Sequence, residues 1–299
     1  MSKITRNKLL FVYLSLLPII GIYLIVRIIP ISQNFYYSFF LSRIGNPTAM
    51  FVGLENYKEL LTDKAFHDAL KNTTYFAFFV TIFGVIISLL VALLLQKNSK
   101  SNPFYETIYF LPVITPMVPV SIVWKWIYDP TYGLLNYFLS FFGVAPIAWL
   151  VYPKTALIGI IIMSVWKIIG YNMIIFLVGL RNIPSTYLEA AEIDGANGNQ
   201  IFWKIILPLL RPIVLLVFVI STINSYNVFT QVFVMTTGSQ GAPGATLKTL
   251  VFEIYENAFR FFKTGYAASE AVILLIIILI LTFIQFGISG VLSKKGKNT

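Results

Sequence analysis

Residues 72–96 carry no charged side chain over 25 consecutive positions. At about 1.5 Å per helical residue such a run covers a hydrocarbon core of roughly 30 Å. A backbone in hydrocarbon must satisfy its own amides and carbonyls, so the run reads as a membrane-spanning helix. Residues 212–247 and 271–293 are likewise free of charge. Three further apolar stretches carry flaws: 9–31 contains Pro18 and Arg27, 107–128 contains Lys125 with Pro112, Pro116 and Pro119, and 155–180 contains Lys167. Charges and prolines at membrane depth are tolerated where protein or water satisfies them, so all six stretches are read as spans. The expected fold class is an all-α membrane protein with six transmembrane helices. Composition agrees, with 58% hydrophobic and only 11% charged residues, about half the charged share of a soluble protein.

Cations in the connecting segments orient the chain. Segments 1–8, 96–106, 181–208 and 293–299 hold 10 Lys or Arg in 54 residues, whereas 32–71, 129–154 and 235–268 hold 8 in 100. The positive-inside rule therefore puts both termini and the 181–208 loop in the cytoplasm. The net charge of +10 lies at membrane boundaries and forms no single stripe, which suits an anionic lipid leaflet rather than nucleic acid. Lys3, Arg6 and Lys8 precede an apolar run without a small-residue cleavage pattern, so the start reads as an uncleaved first helix. Cysteine is absent, which excludes disulfides and thiolate chemistry. The single histidine, His67, has no clustered ligands around it in sequence and reads as a surface residue.

Between the fourth and fifth spans lies a polar, turn-punctuated segment, 184–208. Pro184 suits a helix start, Ser185 or Thr186 could cap it, and Tyr187, Leu188 and Ala191 share a face at helical spacing. Gly195 then fits as the left-handed residue ending that short helix. A second helical stretch, Gln200 to Leu207, is expected to stop where Pro208 opens the next apolar run. Two short helices at a glycine turn make a knob that a partner's cleft can hold; an ordinary interfacial loop is the plainer reading.

The spacing Glu189-Ala190-Ala191, three residues, Gly195, nine residues, Ile205-x-Leu207-Pro208 resembles the signature loop of membrane subunits in binding-protein-dependent ABC importers. Phe51-Val52-Gly53-Leu54-Glu55-Asn56-Tyr57, Phe110-Leu111-Pro112, Trp124-Lys125-Trp126, Asp129 to Asn136 and Gly265-Tyr266-Ala267-Ala268 extend the likeness over nearly the whole chain, towards permeases for maltose, glycerol phosphate and oligosaccharides. The resemblance implies the type I importer permease fold and a bacterial cytoplasmic-membrane location. It divides the chain into a first helix with an external segment (1–71), a transmembrane core (72–292) and a basic cytoplasmic tail (293–299). It further implies a heterodimer with a second permease, two ATPase subunits that hold ATP and Mg, and an extracellular solute-binding protein. Glu189, Ala190, Ala191, Asp194, Gly195, Ile205, Leu207 and Pro208 would then grip the ATPase as a coupling helix. The very large external insertion of the maltose subunit is missing here.

The fifth span carries Ser221, Thr222, Asn224, Ser225, Tyr226, Asn227, Thr230 and Gln231. At about 100° per residue Ser221, Asn224, Asn227 and Gln231 share one face of a continuous helix. Hydroxyls and amides there could line a path for a neutral sugar, or could hydrogen-bond to neighbouring helices. The resemblance implies sugar contacts in this region of the fifth span, Tyr226 included, which favours the pathway reading for Asn224 and Asn227 and leaves Ser221 and Gln231 open. It adds Tyr171 as an aromatic sugar contact, with packing against neighbouring helices as the other reading. Lys125, beside Trp124 and Trp126 and four residues before Asp129, reads as an interfacial anchor or a pairing partner. Lys167 could attract an anionic solute such as glycerol phosphate.

No Gly-x-x-x-x-Gly-Lys-Ser/Thr segment is present to cradle ATP phosphates. Energy is expected from another polypeptide, and no cofactor or metal site is expected in this chain. An intramembrane enzyme would need paired carboxylates, a histidine cluster or an activated serine at membrane depth, and the six spans contain no Asp, Glu or His. An ion-driven secondary transporter would be expected to show internal repeats or a buried acid.

Overall fold

The computed structural model describes residues 3–42, 49–96, 99–237 and 247–288; the basic tail 293–299 lies outside them. Among the described residues, five helical stretches are long and apolar enough to cross a membrane: Phe11–Tyr37, Lys64–Leu95, Pro153–Arg181, Gly198–Tyr226 and Thr264–Ile288. Asn102–Ile114 and Met117–Ile127 pass the same test as a pair bent by 100°, which makes the third apolar stretch either a broken span or a re-entrant loop.

Two units make up the chain, Met1–Phe66 with Glu253–Leu275 and His67–Phe252 with Ile276–Thr299. The first contains α1 (Lys3–Tyr23), a π-turn over Leu24–Ile28, α2 (Ile29–Tyr37), a two-stranded antiparallel ladder of β1 (Phe40–Leu41) and β2 (Met50–Phe51), and α3 (Glu55–Thr62). Asn56 ties this unit together, donating from Nδ2 to the Ser38 and Phe40 carbonyls at 2.8 and 3.1 Å. The ladder passes so close to Gly265 that a Cβ there would lie 1.9 Å from the Phe40 oxygen.

Residues 54–70 do not form one helix. Asp63 leaves the helical region at ψ 112° and its Oδ1 accepts the Ala65 amide at 2.8 Å. It thereby ends α3 and starts α4 (Lys64–Leu95), which begins eight residues before the uncharged run. His67 is exposed on the first turns of that helix.

In the second unit α4 is followed by α5 (Asn102–Ile114), α6 (Met117–Ile127), α7 (Leu134–Ser140), α8 (Pro153–Arg181), α9 (Ser185–Ile193), α10 (Gly198–Ile201), a π-turn at Phe202–Ile206, α11 (Leu207–Tyr226) and α12 (Thr230–Thr236). Lipid supplies no hydrophobic drive for helices to associate, so close backbone approach at small residues does much of the work. A Cβ added to Gly170 of α8 would lie 2.0 Å from the Tyr109 carbonyl oxygen of α5, and one at Gly179 would lie 2.8 Å from Leu210 of α11. Two buried apolar clusters result. One forms around Phe76, Ile160, Met163 and Met235, the other around Met173, Phe176, Leu177, Leu210 and Val217. Later in the chain come α13 (Leu250–Tyr255), a π-turn at Glu256–Arg260 and α14 (Thr264–Ile288), of which residues 253–275 belong to the first unit. α14 starts seven residues before the uncharged run and takes in Glu270, which is fully buried.

Candidate functional site

The third span breaks because of its prolines. Thr115 precedes Pro116 and is extended, at φ −75° and ψ 130°, as the residue before a proline tends to be. Pro116 has no N–H for the Pro112 carbonyl, and Pro119 has none for the Thr115 carbonyl, so both oxygens lose their i+4 helical donors. Lys167 of α8 replaces them, donating from Nζ to Pro112 O at 2.7 Å and to Thr115 O at 2.8 Å. Two of its three N–H groups are thereby committed to a helix break, a structural role beside the attraction to an anionic solute that the sequence allows. Lys125 does a similar job: its Nζ reaches the Thr237 carbonyl at the end of α12 at 3.1 Å, while Asp129 folds back on the Thr131 and Tyr132 amides. Lys167→Met is expected to leave the two break carbonyls unpaired at about 1–3 kcal/mol each. The readout is a lower melting temperature of the purified complex, with Lys167→Arg recovering part of the loss.

Beside the break lies a cavity of about 430 Å³. Tyr171, Asn224, Asn227 and Gln231 line it, together with Ser164, Lys167, Ser225 and Thr230, over an apolar floor that includes Phe76, Val113 and Met117. Lys167 is the one charged residue among the described lining residues. The Ser164 hydroxyl is buried and has no hydrogen-bond partner within the described residues. Ser164, Lys167 and Tyr171 fall at i, i+3 and i+7 on α8, so helical spacing from Tyr171 carried a signal that the sequence reading missed.

Ser221 and Tyr226 do not reach this cavity. Ser221 is fully buried and its Oγ accepts from Asn172 Nδ2 at 3.1 Å. Tyr226 is buried too, with its hydroxyl 3.4 Å from Thr74 Oγ1. The assumption of a continuous helix through 212–247 also fails. Both the backbone amide and the Nδ2 of Asn227 donate to the Ile223 carbonyl, at 3.2 and 2.8 Å, closing the last turn of α11. Thr249 Oγ1 then takes the Val228 carbonyl and Thr73 Oγ1 takes the Leu250 amide. Part of the polarity of this stretch is thus helix-ending chemistry, and Gln231 reaches the cavity from α12 rather than from the face of one long helix.

The 184–208 loop projects from the second apolar cluster. Pro184 is the N-cap of α9 and no side chain caps that terminus, so neither Ser185 nor Thr186 does so. Gly195 stands at φ +78° after Asp194, and the Ala196 amide returns to the Ala191 carbonyl at 2.9 Å. Asn197 and Gln200 form a reciprocal capping box that starts α10. The helix does not stop at Pro208. A π-turn at Phe202–Ile206 absorbs the missing amide, and the chain runs as one helical stretch from Gly198 to Tyr226. Ala191 is buried and Leu188 packs on the cluster. Glu189, Ala190, Asp194, Gly195 and Pro208 are exposed, with Ile205 and Leu207 half-buried. Ile193, Tyr187 and Trp203 project as well, Ile193 with 86% of its surface free. At the same end of α8, Arg181 pairs with Glu106 at 2.6 Å.

Residues 84–289 match the family described as binding-protein-dependent transport system inner membrane component. The probable ABC transporter permease protein YesP of Bacillus subtilis is 34% identical, over 97% of this chain and 93% of its own. The trehalose/maltose transport system permease protein MalF of Thermococcus litoralis is 31% identical, over 94% of each. The crystal structure of a bacterial alginate ABC transporter in complex with alginate pentasaccharide-bound periplasmic protein contains a chain that matches with TM-score 0.81, at 23% identity over 97% of both chains. At that identity the likeness carries the fold.

Proposed function

This chain belongs to the binding-protein-dependent transport system inner membrane component family, and from that premise we propose that it forms half of the translocation pathway of an ATP-driven importer for a sugar or oligosaccharide. One observation carries the choice of solute: the cavity beside the third-span break is lined by hydroxyl, amide and aromatic groups, and its one charged lining residue already serves two backbone carbonyls. A neutral polyol needs donors and acceptors set among flat apolar surfaces, and such a lining supplies both. Tyr171 would stack on the sugar, while Asn224, Asn227 and Gln231 would exchange hydrogen bonds as it passes. The permease named for trehalose and maltose supports the same class. Glycerol phosphate or another small polar solute is the alternative.

In this reading a second permease completes the pathway, a solute-binding protein delivers the sugar at the outer face, and two ATPases supply the work from the cytoplasm. The 184–208 loop would sit on one ATPase, with Glu189, Ala190, Ala191, Asp194 and Gly195 at the contact and Ile205, Leu207 and Pro208 joining it to the fifth span. When nucleotide closes the ATPases, the loop would move and shift the permease pair between outward-open and inward-open states.

The test is reconstitution with the partner permease, ATPases and binding protein in liposomes. Uptake of sugar should need ATP inside, ignore a protonophore, and rise with the sugar-loaded binding protein. Asn224→Leu with Gln231→Leu should lower uptake by about tenfold or more, from roughly 1 kcal/mol per lost hydrogen bond, while stimulated hydrolysis stays within about twofold. Uptake that collapses with the ion gradient would overturn the reading.

A further inference from the structure

Between the third and fourth spans the chain builds a small, rigid, aromatic foot, and we propose that this foot rests in the lipid headgroup–acyl boundary of the bilayer. It consists of α7 and the loop that returns to α8. No Lys, Arg, Asp or Glu occurs from Pro130 to Pro153.

The inner side of the foot is fastened to the second unit. Asn136, buried on α7, donates from Nδ2 to the Ile147 carbonyl at 2.9 Å and accepts at Oδ1 from the Ile147 amide at 3.1 Å and the Trp149 indole at 3.0 Å. Tyr128, just before the foot, donates its hydroxyl to the Gly159 carbonyl of α8 at 2.8 Å. Leu135 and Trp149 pack on the first apolar cluster. The opposite side is apolar and uncovered: Leu134, Tyr137, Phe138, Phe141 and Phe142 are all exposed, Phe142 to 83%. Four aromatic rings are thus held outward by a fixed scaffold, not left on a loose loop.

Chain geometry sets the depth. α8 has 29 residues, about 43 Å at 1.5 Å per residue. That matches the roughly 40–45 Å of a bilayer with its interfacial layers, of which about 30 Å is hydrocarbon. The foot is tied to α8 between Pro153 and Gly159, its first two turns, through the Tyr128–Gly159 bond and the Thr155–Ala148 bond at 3.3 Å. Those turns occupy the interfacial layer when α8 spans. An uncharged segment of Tyr, Phe and Trp at that level has the composition of an aromatic belt, and its apolar face buries area that water would otherwise hold. A soluble partner's docking surface would be expected to carry a polar, charged rim, which 24 uncharged residues do not supply.

The cysteine-free chain permits a direct test. Phe138→Cys, Phe142→Cys and, as a water-facing reference, Asp68→Cys are each introduced into the assembled complex in liposomes and labelled there with a nitroxide. Collision rates are then measured with oxygen and with a water-soluble nickel chelate. The expected oxygen-to-nickel ratio at 138 and 142 exceeds that at 68 by at least about threefold, as for groups at the acyl boundary, and binding protein leaves it unchanged. A ratio equal to the reference puts the foot in water and overturns the proposal. Exclusion of both reagents, or protection that appears only when binding protein is added, assigns the face to a protein partner and overturns it too.

Discussion

Gly170→Val is expected to abolish accumulation of the intact protein, and Gly170→Ala to cost about 3 kcal/mol or more. Inside a helix, glycine is about 1 kcal/mol worse than alanine, so in isolation the alanine would help α8. The packing reverses that sign. A Cβ at 170 would meet the Tyr109 oxygen at 2.0 Å, the Tyr109 carbonyl carbon at 2.8 Å and Val113 Cγ2 at 3.0 Å. Two of the three are backbone atoms, so no rotamer change relieves the clash and α5 must move off α8. The movement is amplified three residues away, where Lys167 holds the Pro112 and Thr115 carbonyls. Separating the helices strips those carbonyls of donors in a medium that offers few substitutes. Yield and thermal stability of the detergent-purified complex are the measurements, and a Gly170→Ala complex as stable as the parent would refute the close approach.

Gly195→Val is expected to leave the spans folded while the sugar moved per ATP hydrolysed falls by at least about tenfold, equivalent to 1.4 kcal/mol of lost coupling. At φ +78° a β-branched residue is strained by at least about 1–2 kcal/mol. Yet a Cβ at this position meets nothing within 4 Å among the described residues, so the strain falls on the turn and not on the core. A companion variant separates turn geometry from contact. Asn tolerates the left-handed region, so Gly195→Asn should recover coupling if the turn conformation is what matters. If Asn fails as badly as Val, the added side chain meets the ATPase itself. Wild-type coupling in an assembled Gly195→Val complex would remove the 184–208 loop from the mechanism.

The sequence carried the apolar spans because charge is costly in hydrocarbon, and uninterrupted runs such as 72–96 follow directly from that. It carried the turn at Gly195 because few residues accept positive φ. Helix ends were less legible. α4 begins at Lys64 and α14 at Thr264 because helices continue through the interfacial layers, where charged residues such as Lys71 are welcome and charge counting stops too early. The run 212–247 hid a helix end at Asn227, since a side chain that closes α11 by bonding the Ile223 carbonyl has the same one-letter signature as one that lines a path.

The cavity was legible in part. Tyr171, Asn224, Asn227 and Gln231 come together at one surface, whereas Ser221 and Tyr226 turn to Asn172 and Thr74. A helical wheel gives direction around one axis and says nothing about which neighbour stands there. Ser164 is hard to single out because one hydroxyl in an apolar span is common, and only its helical spacing from Tyr171 marks it as sharing that face of α8.

Residue chemistry taken along the chain thus marked six apolar stretches able to cross a membrane and a glycine turn between the fourth and fifth, while the 100° break at the prolines of the third came from the structure. The stretches and the turn follow from one-dimensional constraints, the solvation cost of charge and the backbone freedom of Gly. Tertiary structure alone decided what the intramembrane ammonium is for and which polar groups share a cavity. Lys167 and the carbonyls it serves are more than fifty residues apart, and only the approach of α5 to α8 at Gly170 brings them within hydrogen-bonding distance.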